Sequence, residues 1–102
     1  MDARNAIWER LSQVIEPELG LPLTDLGLIY GVELDDTERI ATIRMTLTSP
    51  MCPMAPEIIA MVRQAVEGVA EVEETRVEVV FDPPWDPLTM ASEDALAELG
   101  LG

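Results

Sequence analysis

The chain has 102 residues, about half of them apolar, which is enough for one domain, spanning 1–102, with a single thin core. Twenty acidic residues face six basic ones, all of them Arg; at a formal charge of −14 the chain would repel nucleic acid and anionic membrane, so neither is expected as a partner. A single cysteine excludes an internal disulfide framework and points to a reducing, cytoplasmic setting.

No apolar run approaches the ~20 residues of a membrane span. The start, Met1-Asp2-Ala3-Arg4-Asn5, has neither the basic opening nor the apolar centre of a signal peptide. The acids are scattered, as on a solvated surface; a basic protein partner is the sharper alternative.

Residues 3 to 15 carry Ile7, Leu11, Val14 and Ile15 at helical spacing, with Asp2 as N-cap and Trp8 half-buried beside the stripe. Glu16-Pro17 ends this helix, because the residue before proline is pushed out of helical geometry. Residues 16 to 27, with two Pro, two Gly and four Leu, read as an aperiodic loop packed down on the core. From 28 to 34, Leu28, Tyr30, Val32 and Leu34 alternate with Ile29, Gly31 and Glu33. From 40 to 48, Ala41, Ile43, Met45 and Leu47 alternate with Thr42, Arg44, Thr46 and Thr48. The polar residues 35–39 between the two runs make them an antiparallel hairpin.

Residues 55 to 67 then place Ile58, Val62, Ala65 and Val66 on one helical face, continued by Val69, with Gly68 as C-terminal cap. Val77, Val79 and Phe81 alternate with Arg76, Glu78 and Val80 in a third strand. Asp82-Pro83-Pro84-Trp85-Asp86-Pro87 stops it, since proline cannot donate to a ladder. Ser92-Glu93-Asp94 opens a short last helix that Gly100 closes. The predicted fold is an α+β two-layer sandwich of order α-β-β-α-β-α, with a three-stranded mixed sheet and both main helices on one face.

That topology has a consequence for chemistry. If strands two and three share the sheet, they run parallel, and their carboxyl ends lie at one edge with the start of strand one. Three proline-containing loops then converge: 16–27, 48–53 and 82–87. The loop Thr48-Ser49-Pro50-Met51-Cys52-Pro53 holds the only cysteine, in a chain with no His and no Lys, so Cys52 is its strongest potential nucleophile and its one soft thiolate ligand. Its expected neighbours are Thr48, Ser49, Glu18, Asp25, Asp82 and Trp85.

Pro53 suits a first helical turn, which would set Cys52 at a helix N-terminus. The end of a helix contributes only ~0.3–1 kcal/mol to a thiolate, less than one pKa unit, and the nearby acids oppose it. With no His as base, a free-standing nucleophile is poorly supported. A metal would deprotonate the thiol outright, but one thiolate cannot complete a four-ligand zinc or iron–sulfur site. A second copy or a client protein would have to finish it. The bland reading is a buried, inert cysteine, and the residues alone leave both readings open. Asp25 is most simply a turn former, Glu18 solvent decoration and Trp85 a cover on the core edge.

Four motifs occur in order: Glu16-Pro17-Glu18-Leu19-Gly20, Asp25-Leu26-Gly27-Leu28-Ile29-Tyr30, Thr46-Leu47-Thr48-Ser49-Pro50-Met51-Cys52-Pro53, and Asp82-Pro83-Pro84-Trp85 with Met90. Together they resemble the metal–sulfur cluster biosynthetic family, which includes SufT-type iron–sulfur maturation factors and PaaD-type proteins of phenylacetate catabolism. The resemblance spans about residues 5 to 100. It implies a small non-enzymatic α+β domain that helps assemble iron–sulfur clusters or deliver them to client apo-proteins, together with other assembly proteins. Cys52 would be the functional thiol, Glu18 and Asp25 would be the motif acids, and a cluster or iron would be held only in transit. PaaD-type proteins usually carry a cysteine-rich C-terminal extension; this chain ends at Gly102 without one, which favours general cluster maturation. The alternatives are a PaaD-type accessory protein and a metal-free adaptor.

Overall fold

The computed structural model describes residues 3–101. Its elements are α1 (Ala3–Leu11), β1 (Ile15–Glu16), β2 (Leu21–Pro22), α2 (Leu23–Leu26), β3 (Ile29–Leu34), β4 (Ile40–Met45), α3 (Ala55–Glu67), β5 (Glu74–Val79), α4 (Pro87–Met90) and α5 (Glu93–Leu99). The three-stranded sheet has the order β3-β4-β5, with β3 antiparallel and β5 parallel to β4. Helix α1 packs on β3, α3 packs on β5, and the two helices pack on each other, so both cover one face of the sheet. The expected α+β architecture is present.

The core between the layers joins Ile7 and Leu11 of α1, Ile58, Val62 and Val66 of α3, and Val32, Ala41, Ile43 and Met45 of the sheet. The alternation in β4 holds: Ala41, Ile43, Met45 and the following Leu47 are all buried. On the open face, Arg44 lies between Glu33 and Glu78. Exposed pairs of this kind contribute only about 0–1 kcal/mol each, so they keep that face soluble more than they hold the fold.

Several elements depart from the sequence reading, each for a local reason. Helix α1 stops at Leu11, well before Pro17. The Ser12 hydroxyl donates to Glu9 O at 2.6 Å, and the amides of Gln13 and Val14 bond three residues back. Val14 stays buried, but Ile15 turns to solvent and opens β1. Asp2, the expected cap, lies outside the described residues.

The 16–27 stretch is packed down as expected, with Leu23 and Leu26 fully buried, but it is not aperiodic. It contains the β1–β2 hairpin and the single turn of α2. In β3 the register shifts between Ile29 and Gly31, so Tyr30 is bulged out of the pairing. Ile29 and Val32 are buried, and Tyr30 is only half-buried. Strand β4 ends at Met45. Thr46, expected to face outward, is fully buried; its N–H donates to Leu28 O at 2.8 Å, while its hydroxyl has no partner.

Helix α3 starts at Ala55, with Pro56 rather than Pro53 in its first turn. Gly68 caps it in right-handed conformation, which any residue can adopt, and the Arg10 side chain lies over it. A β-carbon would lie 2.9 Å from the Arg10 guanidinium, which donates to Gly68 O at 3.2 Å. Strand β5 stops at Val79, leaving Phe81 exposed instead of in the core. Ser92 caps α5 by accepting from Ala95 N at 3.1 Å, and Gly100 ends it in left-handed conformation, both as expected.

Candidate functional site

Cys52 sits in a tight turn between β4 and α3. Its N–H donates to Ser49 O at 3.1 Å, its carbonyl accepts from Ala55 N at 3.3 Å, and the Ser49 hydroxyl accepts from Met51 N at 3.1 Å. The residue precedes the α3 N-cap, Met54, by two positions, so it is not the first-turn residue that a Pro53 start would have made it. The thiol is half-buried: it packs against the edge of the core without being sealed in it. Met51 beside it is 85% exposed.

The thiol donates to Glu18 Oε1 at 3.3 Å. Glu18 comes from the β1–β2 hairpin turn, so two of the three converging loops do meet at the sulfur. Burial raises the Cys52 pKa first of all; the hydrogen bond to Glu18 and the charges of Glu18 and Glu16 raise it further, against the opposing pull of the Met54 amide. The thiol is therefore held in its protonated form at neutral pH, as a donor to a carboxylate. Thr48 and Ser49 are half-buried on the approach to the turn.

The third loop arrives at the same segment but at its other end. Trp85 Nε1 donates to Leu26 O at 2.7 Å, Tyr30 donates its hydroxyl to Pro83 O at 2.7 Å, and Ser92 N donates to Asp25 O at 2.7 Å. Asp25 thus contributes its carbonyl here. Gly27 has φ 77°, and a β-carbon on it would lie 2.3 Å from Met90 O. Asp82 is exposed and lines a cavity of about 450 Å³ with Tyr30, Arg44 and Met90. Among the described residues, no hydrogen bond joins Asp25, Asp82 or Trp85 to Cys52; Asp25 and Trp85 belong to a joint between α2 and the C-terminal segment, and Asp82 lines the cavity.

Glu16 escaped the sequence reading as an individual residue. It is the only buried acid among the described residues, 1% exposed, and its carboxylate accepts from Glu18 N at 3.1 Å and Leu19 N at 2.7 Å. A carboxylate followed by a Pro-Glu-Leu-Gly turn was the available signal. Among the described residues, no three His, Cys, Asp or Glu side chains are grouped so that they could hold a metal ion.

The iron–sulfur cluster assembly protein family matches residues 4–79. The chain belongs to that family. It is 44% identical over 88 residues to the Fe-S protein maturation auxiliary factor SufT of Staphylococcus aureus strain USA300, covering 86% of this chain and 98% of that protein. It is 41% identical over 92 residues to the Fe-S protein maturation auxiliary factor YitW of Bacillus subtilis strain 168, covering 90% and 86%. A crystal structure of a domain of unknown function, DUF59, from Bacillus anthracis superposes with a TM-score of 0.87 at 40% identity, over 98% of this chain and 93% of that one. None of the described helices is long and apolar enough to cross a membrane.

Proposed function

We propose that this protein is an iron–sulfur protein maturation factor of the cytoplasm, not an enzyme, in which Cys52 lends one thiolate to iron or a cluster on its way to a client apo-protein. The observation that carries the reading is the half-buried Cys52 thiol donating to Glu18 Oε1 at 3.3 Å. A thiol left partly open to solvent can be reached by a metal or a client, as a buried, inert cysteine cannot. The names of the relatives support the maturation role alone.

The chemistry follows from the pair. When the sulfur binds iron, the S–H bond breaks, the sulfur keeps its electron pair for the metal, and the proton passes to Glu18 Oε1 and on to water. Glu18 thus takes up the proton that metal binding must release. One thiolate leaves the remaining positions of the metal to donors on the client, which suits transfer better than storage. The partners on this reading are client apo-proteins and other assembly proteins, and a second copy of this chain is one further source of a thiolate.

The test is cluster transfer to an apo-protein client after anaerobic incubation with iron and sulfide, followed by visible absorbance. Wild-type protein should raise the rate or yield of client loading, and Cys52→Ala should remove that gain while leaving the circular dichroism unchanged. Equal loading by the Cys52→Ala protein would overturn the proposal and leave a metal-free adaptor.

A further inference from the structure

Glu16 presents a physical puzzle. A carboxylate taken out of water is costly unless its lone pairs are satisfied, and every other acid among the described residues remains at least partly accessible to solvent. The β1–β2 turn does not need a charge to close it. Gly20, at φ 72°, already donates its N–H to Glu16 O at 2.7 Å, and Glu16 pairs with Leu21 in the ladder. The main chain thus supplies closing bonds of its own.

The carboxylate does something more specific. Its two oxygens take the amides of Glu18 and Leu19, the two residues at the tip of the turn. Fixing both amides fixes the direction in which the Glu18 side chain leaves the backbone. That direction ends at the Cys52 sulfur. We infer that Glu16 is the positioning residue of the thiol site: its buried carboxylate holds the turn so that Glu18 reaches Cys52. The inference rests on the thiol reading given above, but its test uses no metal and no client, so the two can fail separately.

The measurement is the rate of Cys52 alkylation by iodoacetamide at fixed pH, in wild type, Glu16→Gln, Glu18→Gln and the double variant. Removing the Glu18 carboxylate frees the thiol, and Glu18→Gln should alkylate several-fold faster. Glu16→Gln keeps one of the two accepting oxygens and turns an NH2 donor toward the other amide; it should loosen Glu18 and speed alkylation by a similar factor. The charge of Glu16 also raises the thiol directly, as the weakest of the causes, so most of its effect and not all of it should pass through Glu18. The double variant should exceed Glu18→Gln alone by much less than the factor seen for Glu16→Gln. Rates that multiply in full in the double variant, or an unchanged rate in a folded Glu16→Gln protein, would overturn the inference.

Should Glu16→Gln fail to fold, the wild type still decides. Hydrogen exchange should show the Glu18 and Leu19 amides protected at neutral pH, and free exchange at both would overturn the inference.

Discussion

At Gly27 the chain meets its C-terminal segment through main-chain atoms: Leu26 O takes the Trp85 indole, Asp25 O takes Ser92 N, and Met90 O fills the space where a β-carbon would stand. At Cys52 the meeting is between two side chains at the surface, one sulfur and one carboxylate oxygen. Both regions are drawn from motifs that read alike in sequence, short and rich in Pro, Gly and acids. Their construction separates them. The joint tolerates little change in shape and carries stability. The thiol turn is closed by its own backbone bonds, Cys52 N to Ser49 O and Ala55 N to Cys52 O, and the contact with Glu18 is added at the surface.

The largest expected effect lies at the joint. Gly27→Ala puts a β-carbon into the Met90 backbone and strains a left-handed residue. Overpacking of about 1–3 kcal/mol and a left-handed penalty of about 1–2 kcal/mol should together lower unfolding stability by about 2–5 kcal/mol in denaturant titration. Trp85→Phe keeps a ring but removes the bond to Leu26 O, and should cost about 0.5–1.5 kcal/mol. If either variant instead changed Cys52 alkylation with stability intact, the division between the two regions would be wrong.

The smallest effect on stability and the clearest on chemistry lies at the thiol. Its pKa is raised by burial and then by Glu18, so the midpoint of alkylation against pH should lie above the ordinary thiol value of about 8.5. Glu18→Gln should bring it down. The linkage has a definite sign. A thiol whose pKa is higher in the fold than in the unfolded chain adds stability below the unfolded pKa, and that increment disappears as pH rises through the folded value. Urea midpoints should therefore fall on the alkaline side in wild type, and less so in Glu18→Gln.

Much of this was open to reading before any coordinates. The period of two in Ala41, Ile43, Met45 and Leu47 belongs to a half-buried strand and nothing else of that length, and the loops at either end of the hairpin fixed which segments would share an edge. That topology made Glu18 one of six expected neighbours of Cys52; the structure brings Glu18 to the sulfur and places Asp25 and Trp85 at the other end of the segment. What failed to show has physical causes. The four residues of α2 are too few to display a helical period, and Pro22 and Gly27 at its ends read as loop punctuation. Asp25 reads in sequence as a turn former or a motif acid, whereas its contact with the C-terminal segment is made by a carbonyl that every residue has. The bulge at Tyr30 inverts the expected facing of one residue pair without altering the pattern of letters. Glu16 was hidden because a charged residue before a proline is normally in solvent, and only its backbone partners explain why this one is not.

The strand order also sets a sequence of difficulty in folding. Strands β3 and β4 are joined by residues 35–39, whereas β4 and β5 are separated by residues 46–73, which form the α3 crossover. Closing the longer connection costs about 1.5 kcal/mol more in chain entropy. The hairpin is thus the cheaper half of the sheet to assemble and the β4–β5 pairing the costlier one. Cys52 lies inside the connection that the costlier pairing must close, so the sulfur sits on the part of the chain whose ordering carries the larger entropic cost.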